Sequence, residues 1–251
     1  MTDETNLVLE ERRGGVVLLT LNRPERHHAL NQALGEALAA ALQRAGNDPD
    51  VAAIILTGSG TKAFCAGADM LEASGVTEGR GRIAGAALAI TRVSEMPLPV
   101  IAAINGYCYG GGARLAVACD IRIASPNAMF RLPGSEYGLV VAAATLPRLV
   151  GAARAKELIF TARPFNAQEA FDYGLVTGIH PVDELLPAAW RMAETIASHS
   201  REAVREAKRV IDAATLSDEA RAMEDEANRR LRGSTEQVAR FRDATRRVTG
   251  R

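Results

Sequence analysis

The chain has 251 residues, 47% of them hydrophobic, so it can bury its own core, and the composition excludes a disordered or collagen-like protein. Thirty basic residues balance thirty acidic ones, and this formal net charge of zero excludes the global positive field of a nucleic-acid binder. No apolar run approaches the ~20 residues of a membrane span, and residues 1–13 lack the apolar core of a secretory signal. We therefore expect a cytoplasmic protein with neither a nucleic-acid nor a membrane partner.

Short apolar segments alternate with segments of helical period, a pattern typical of an α/β fold with crossover helices. Two of the predicted strands, 51–57 and 99–104, are apolar almost throughout, as strands covered on both faces are. The predicted strands are 16–21, 51–57, 99–104 and 120–124. The predicted helices between them are 32–45, 83–93 and 111–118.

Helices dominate from about residue 152, where Asn166 and Glu169 predict an N-terminal capping box. The last part of the chain predicts three charged, alanine-rich helices at 200–214, 217–231 and 235–248. Their thin apolar stripes must be buried against the main body or a neighbouring subunit. We therefore divide the chain into a core, residues 1–195, and a helical segment, residues 196–251, for packing and oligomerisation.

Cysteine and histidine content argues against thiol and metal chemistry. The three cysteines, Cys65, Cys108 and Cys119, cannot all pair, and none has CxxC spacing. His27 and His28 are adjacent and the other two histidines stand alone, so we interpret all four as surface or loop residues. The sequence predicts no metal and no separate cofactor.

Two glycine-containing motifs give only weak evidence for a nucleotide site or a serine nucleophile. Residues 79–84 match GxGxxA loosely but follow a helix-like segment, so they favour a turn in a glycine-rich loop at 75–81 over a dinucleotide site. Residues 58–60 and 134–136 do not fit a GxSxG nucleophile elbow. A serine hydrolase is not predicted.

Two loops of small residues carry more information. Residues 58–69 follow the strand at 51–57, and residues 105–112 follow the strand at 99–104, both at carboxyl ends, where α/β proteins place ligands. Glycines at 110–112 expose backbone amides at a helix N-terminus, which favours negative charge. Spacing alone leaves two interpretations open: paired backbone donors to one oxyanion, or tight helix-to-strand packing.

Several ordered segments carry a family resemblance. They are NRPER (22–26), ALN (29–31), AFCAGAD (63–69), PVIAAINGY (99–107), GGG (110–112), CDIRIA (119–124), AQEA (167–170) and YGLV (173–176). In this order they resemble the crotonase superfamily, also called the enoyl-CoA hydratase/isomerase family, over about residues 16–177. The resemblance implies an α/β spiral of ββα units with a helical C-terminal part, residues 1–195 as an acyl-CoA-binding core, and assembly as a homotrimer or hexamer.

The resemblance also implies an acyl-CoA thioester as the substrate, with coenzyme A as part of that substrate. The backbone N–H groups of Ala68 and Gly111 would hold the thioester carbonyl in an oxyanion hole. Asp69 is also placed to be a helix cap or a structural partner. The further substrate-binding positions are Arg26 and Lys62 near the CoA phosphates, Ala66 beside the adenine, Ala29, Asp69, and Met70, Tyr107, Pro133 and Gly134 around the acyl group.

The chain departs from this pattern at the two positions where family hydratases carry glutamates that orient and deprotonate water. Arg114 and Gly134 stand there instead, and neither side chain is a base. Glu136 returns to the same face if the segment is extended, which makes it our candidate base, with an exposed glutamate as the alternative. Arg114 could pair with a substrate carboxylate, with Glu136 or with Asp120, but we expect a structural ion pair.

These features predict an enzyme that transfers a proton on an acyl-CoA enolate. Isomerisation is favoured over hydration because moving a double bond can use one base, whereas the hydratase arrangement uses two carboxylates. Residues 139–147 are shorter than in the family pattern, so this pocket wall should differ in shape. The alternative is a non-catalytic acyl-CoA-binding protein on the same fold.

Overall fold

The computed structural model describes residues 6–74 and 84–250. The loop predicted at 75–81 and the glycines of the 79–84 motif lie outside the described residues. The strands are β1 (Val8–Arg13), β2 (Val16–Leu21), β3 (Ala53–Gly58), β4 (Ala63–Cys65), β5 (Val100–Ile104), β6 (Tyr107–Tyr109), β7 (Ile121–Ala124), β8 (Met129–Arg131) and β9 (Phe165–Asn166). The helices are α1 (Gln32–Asn47), α2 (Met70–Ala73), α3 (Ala84–Ser94), α4 (Gly111–Ala118), α5 (Pro147–Val150), α6 (Ala152–Thr161), α7 (Ala167–Asp172), α8 (Leu185–Ala197), α9 (Arg201–Thr215), α10 (Asp218–Leu231) and α11 (Thr235–Thr249).

The predicted elements are confirmed. The four predicted strands are β2, β3, β5 and β7, and the predicted helices of the core are α1, α3 and α4. Asn166 and Glu169 form the complete capping box at the start of α7. Ser200 and Ser217 cap α9 and α10, and Ser234 caps α11, so each C-terminal helix begins where a serine accepts a hydrogen bond from a backbone amide.

The strands form two sheets, and the chain passes from the larger sheet to the smaller one in a repeated order. The larger sheet has the order β1-β2-β3-β5-β7, and the smaller sheet has the order β4-β6-β8-β9. In each successive unit the first strand joins the larger sheet, the second joins the smaller sheet, and helices follow after β4 and after β6. This arrangement confirms the predicted α/β fold of ββα units. The short strands β4, β6 and β8 were not predicted.

Both faces of the larger sheet are buried at β3 and β5, as their apolar sequences predicted. Leu19 and Leu56 point into a core that includes α1, α3 and the smaller sheet. Leu18 and Ile55, which directly precede these residues on the same strands, point to the opposite face and pack with α8. The sheet is therefore held rigidly between helical layers, and its connections are a fixed platform for the loops at its edge.

The C-terminal helices contact the core through several polar groups. Lys208 of α9 pairs with Asp120 at 2.7 Å, and Arg201 donates to the carbonyls of residues 48 and 49. Val210, Ile211 and Met223 on α9 and α10 remain exposed. No helix in the described part of the chain has the length and hydropathy needed to cross a membrane.

Candidate active site

Three neighbouring strands deliver their following loops to one edge of the smaller sheet. β4 pairs with β6 in parallel, with Ala63 opposite Tyr107, and β6 pairs with β8 in parallel, with Tyr109 opposite Arg131. Because carboxyl ends of parallel strands meet at the same edge, residues 66–69, 110–112 and 132–134 converge there. The two glycine-containing loops singled out in the sequence are thus adjacent because of short strands that sequence reasoning missed.

The backbones of Ala68 and Gly111 are in close contact. A Cβ atom added to Gly111 would lie 3.2 Å from the amide nitrogen of Ala68. The neighbouring amides are used within the protein, since Asp69 donates to the Leu30 carbonyl and Gly110 donates to the Arg131 carbonyl. The amides of Ala68 and Gly111 themselves donate to no acceptor in the described part of the chain. The edge therefore presents two adjacent free donors.

Gly112 explains why α4 begins so close to β4. A Cβ at this position would lie 2.1 Å from the carbonyl oxygen of Cys65, so only glycine allows the first turn of α4 to approach the strand end. Tight helix-to-strand packing, one of the two interpretations of the glycine run, is thus observed, and the oxyanion interpretation stays a prediction. Tight packing at Gly112 brings the amide of Gly111, and the positive end of the α4 dipole, to the amide of Ala68.

The predicted CoA-binding residues lie along one connected rim. The Ala66 amide donates to the His27 carbonyl, which follows Arg26 directly, and the Ala29 amide donates to the Arg26 carbonyl. The Tyr107 amide donates to the Lys62 carbonyl. The Tyr107 ring is 43% exposed and meets His27 edge to face. Arg26 and Lys62 are both exposed, so two cationic side chains stand at this rim.

Asp69 is a helix cap. Its Oδ1 accepts hydrogen bonds from the Leu71 and Glu72 amides at the start of α2, and its Oδ2 accepts from Arg23 at 2.7 Å. Burial of the carboxyl opposes ionisation, but the hydrogen bonds from Arg23 and the two amides outweigh it, so the pKa of Asp69 lies below its ordinary value. The side chain thus fixes the start of α2, whose first residue is Met70.

The backbone after β8 leaves no space for a side chain at Gly134. A Cβ there would lie 2.5 Å from Cγ2 of Val141 and 3.0 Å from the Leu139 carbonyl oxygen. Pro133 is buried, and its Cγ lies 3.9 Å from the position that a Cβ atom on Gly110 would take. Val141 thus occupies the space into which a longer residue at position 134 would extend.

Residues 138–145, which we call the wall segment, are fixed by α10 and α11. Asn228 donates to the Val140 carbonyl at 2.7 Å and accepts from the Val140 amide. Glu224 is buried and accepts from the amides of Ala142 and Ala144 at 3.1 and 2.9 Å. Sequence reasoning missed Glu224 and Asn228 because their partners lie about 80 residues earlier in the chain and no local pattern signals such contacts.

Glu136 lies in a 3-10 turn, Ser135–Tyr137, and not in the extended segment that we expected. The Tyr137 amide donates to the Gly134 carbonyl, which closes the turn and changes the direction of the side chain. The Glu136 carboxylate pairs with Arg131 through one oxygen and with Arg247 of α11, at 3.0 Å, through the other. The expectation of an extended strand was wrong, and the role of Glu136 as a base stays a prediction.

Arg114 forms an ion pair with a residue that the sequence did not suggest. Its Nη2 lies 3.6 Å from Oε1 of Glu224, and Asp120 pairs with Lys208 instead. The expected pairing of Arg114 with Glu136 or Asp120 is replaced by this contact with α10. The guanidinium lines a cavity between α3, α4, α9 and α10.

His28 is a loop residue, as expected, but it is buried and not at the surface. Its Nδ1 accepts a hydrogen bond from the Arg23 amide at 3.0 Å, which leaves the proton on Nε2, 3.0 Å from the Ser59 carbonyl. Burial is the main cause that lowers the pKa of His28 below its ordinary value. The neutral ring joins the rim loop to the end of β3.

We expect the free energy of unfolding to fall between about pH 7.5 and about pH 5.5, by up to ~1.4 kcal/mol per pH unit from His28. The pKa of His28 is lower in the folded state, so the unfolded chain binds a proton first and the stabilisation is lost as the pH falls below ~6.5. Urea unfolding across this range measures the slope. A His28→Gln variant should flatten it, whereas the exposed His199→Gln control should not; equal slopes in all three proteins would contradict the assignment.

The three cysteines are buried. Burial raises the pKa of Cys65 to about 12 and that of Cys119 to about 12, so both thiols stay protonated at neutral pH. Among the described residues, no group of three or more His, Cys, Asp or Glu side chains is placed to hold a metal ion.

Comparisons with known proteins show similarity over nearly the whole chain. Residues 11–248 match the family model described as enoyl-CoA hydratase/isomerase. A short-chain-enoyl-CoA hydratase of Clostridium acetobutylicum is 40% identical over 216 residues, 83% of this chain and 82% of the relative. The crystal structure of an enoyl-CoA hydratase/isomerase from Xanthobacter autotrophicus Py2 aligns with a TM-score of 0.86 at 30% identity, covering 98% and 94% of the two chains. A monofunctional enoyl CoA isomerase from M. smegmatis aligns with a TM-score of 0.72 at 35% identity, covering 86% and 98%.

Proposed function

The chain belongs to the enoyl-CoA hydratase/isomerase family of enzymes, and from this premise we propose that it binds an acyl-CoA thioester across the loops that follow β4, β6 and β8. The observation that carries this proposal is the pair of adjacent free amides of Ala68 and Gly111. Two adjacent donors without an acceptor can bind one oxygen atom together, and we place the thioester carbonyl oxygen there. Coenzyme A extends along the rim, with Arg26 and Lys62 near its phosphates and Ala66 beside the adenine.

The two amides assist any reaction that passes through a thioester enolate. When a base removes a proton next to the carbonyl, negative charge moves onto the oxygen, and the fixed N–H dipoles of Ala68 and Gly111 stabilise it. The N-terminus of α4 adds its positive dipole end at Gly111. Met70, Tyr107, Pro133 and Gly134 border the acyl group.

Isomerisation is the reaction that these residues support best. Hydration in the family pattern uses a carboxylate at each of the positions held here by Arg114 and Gly134, and Val141 fills the space beside Gly134. Moving a double bond needs one base, which takes a proton from one carbon of the enoyl thioester to form a dienolate and returns that proton to another carbon. We propose Glu136 as that base, with both oxygens held in place by Arg131 and Arg247.

Crotonyl-CoA hydration should be slow. Because neither Arg114 nor Gly134 can activate water, we expect a rate at least ~10² below that of a hydratase with both carboxylates. The assay follows loss of the enoyl absorbance at high enzyme concentration, beside a hydratase from the family as a positive control. A rate typical of that hydratase would contradict our interpretation of Arg114 and Gly134.

Binding and chemistry are tested together with a panel of acyl-CoA thioesters. Calorimetry reports which thioesters bind, and mass spectrometry with proton exchange into deuterated water reports chemical change. Binding with isomerisation or exchange of an α proton supports the proposal. Binding without any turnover would instead support a non-catalytic acyl-CoA-binding protein, and absence of binding would contradict both.

We also propose that the chain assembles as a homotrimer or hexamer. The support is the apolar surface on the C-terminal helices, where Val210, Ile211 and Met223 are each more than half exposed. Burying such side chains against another subunit is favourable by ~25 cal/mol per Å² of apolar surface. Light scattering after size-exclusion chromatography measures the assembled mass.

A further inference from the structure

A cavity of about 270 Å³ lies between α3, α4, α9 and α10. Its lining is mixed, with apolar groups from Ile90 and Val117 and charged groups from Arg114, Arg148, Asp212 and Glu224. The cavity is near the proposed thioester site because one helix borders both. Arg114 follows Gly111 by three residues on α4, so the two lie on adjacent turns of one helix face.

The Arg114 guanidinium has unused hydrogen-bonding capacity. It carries five N–H donors, and within the described part of the chain it donates no hydrogen bond. The carboxylate of Glu224 lies 3.6 Å away, beyond hydrogen-bond distance, and its two oxygens already accept from the amides of Ala142 and Ala144. A partly exposed guanidinium therefore faces the cavity with its fork of donors available.

Five acids and three arginines line the cavity, and two of the acids, Asp120 and Asp212, are taken up by ion pairs that do not involve Arg114. Asp120 is paired with Lys208 at 2.7 Å, and Asp212 is paired with Arg148 at 3.1 Å. Further along the cavity, Arg148 has a buried Nε with no acceptor among the described residues. The acids at the rim, Glu95 and Asp225, are exposed, and Arg221 lines the cavity beside them. Solvent screens exposed charges more than buried ones.

A second arginine carries positive charge close to Arg114. Arg232, just beyond the end of α10, has its pKa lowered by burial and also by the positive charge of Arg114. The two guanidinium groups are therefore close enough to repel each other, with Glu224 as the carboxylate beside Arg114. An additional anion at Arg114 would relieve this repulsion, and a planar carboxylate matches the guanidinium fork through two parallel hydrogen bonds.

We propose that the acyl group of the preferred substrate ends in a carboxylate, which enters this cavity and is bound by Arg114. This inference rests on the proposed function, because it takes the thioester carbonyl to be held by Ala68 and Gly111. Arg114 is then a specificity-determining residue at a position where family hydratases carry a catalytic glutamate. The substrate class is a CoA thioester of a dicarboxylic acid.

The test compares thioesters of equal acyl length that differ only at the far end. Glutaryl-CoA is paired with pentanoyl-CoA, and succinyl-CoA with butanoyl-CoA, and calorimetry gives the four dissociation constants. For at least one pair, we expect the carboxylate form to bind about 10 to 100-fold tighter to the wild-type protein. Arg114→Met should reduce that ratio to within about threefold, because it removes the charge and keeps an unbranched side chain. Arg209→Met, on the exposed face of α9, makes the same change in net charge and should keep the ratio.

The outcomes separate this inference from the proposed function. Tight binding of pentanoyl-CoA or butanoyl-CoA without any preference for the carboxylate forms overturns the inference and leaves the proposed function standing. Binding of none of the four thioesters overturns the proposed function itself. A preference that persists in Arg114→Met, with wild-type secondary structure by circular dichroism, overturns the assignment to Arg114. The wild-type ratios decide the substrate class even if the variant does not fold.

Discussion

A Gly111→Pro variant is expected to lose turnover of its acyl-CoA substrate by a factor of ~10² to 10³. Proline has no N–H group, so the substitution deletes one of the two donors at the proposed carbonyl position. The first residue of a helix is also the position that best accepts proline, and Gly111 is the first residue of α4. The helix should therefore persist while the donor is lost.

Gly111→Ala is the matched control for this variant. Alanine adds the same Cβ, which would lie 3.2 Å from the Ala68 amide nitrogen, but it keeps the backbone N–H. If the donor carries the effect, the alanine variant should retain most of the turnover and the proline variant should not. Equal losses in the two variants would attribute the effect to crowding at Ala68 and would contradict an oxyanion hole that uses Gly111.

The sequence predicted the elements that have strong local patterns. β2, β3, β5 and β7 are apolar and β-branched, and capping residues such as Asn166 and Ser200 mark helix starts. These signals arise from neighbours in the chain, so one sequence is enough to find them. The loops carrying Ala68 and Gly111 were identified for the same reason, since runs of small residues after strands are local features.

Contacts between residues that are far apart in the chain leave no local sequence pattern, so they were not predicted. β4 and β6 are three residues long, and they form strands because they pair with each other, and β6 with β8, in the smaller sheet. The hydrogen bonds of Glu224 to the wall segment and the position of Val141 beside Gly134 depend on how α10 folds back over the core. The extended geometry expected at Glu136 failed for a different, local reason, because the hydrogen bond from the Tyr137 amide to the Gly134 carbonyl closes a turn.

The wall segment connects these distant contacts to function. Its backbone is fixed by Glu224 and Asn228, and Val141 then excludes a side chain at position 134. The helical C-terminal part thus shapes the wall of the proposed acyl site in addition to offering an apolar surface. Because Glu224 also lies beside Arg114, one residue of α10 links the wall to the proposed carboxylate-binding cavity.

Glu136→Gln is expected to abolish measurable turnover while leaving acyl-CoA affinity within about tenfold of the wild-type value. Glutamine keeps the shape of the side chain and its acceptor oxygen but has no basicity, and general-base catalysis contributes ~10² to 10⁴ in rate. Proton exchange at the α carbon, followed by mass spectrometry in deuterated water, measures the loss of base function directly. Calorimetry with the same thioester measures the affinity.

The effect of breaking the ion pairs of Glu136 with Arg131 and Arg247 must be distinguished from the effect of removing the base itself. Arg247 is exposed and reaches Glu136 from α11, so Arg247→Met breaks the contact at 3.0 Å and leaves the carboxylate itself in place. We expect this variant to keep turnover within about tenfold of the wild-type protein, since an exposed ion pair contributes little to stability. If Arg247→Met loses as much turnover as Glu136→Gln, the carboxylate acts by holding α11 over the site. Unchanged turnover in Glu136→Gln would remove Glu136 from the mechanism altogether.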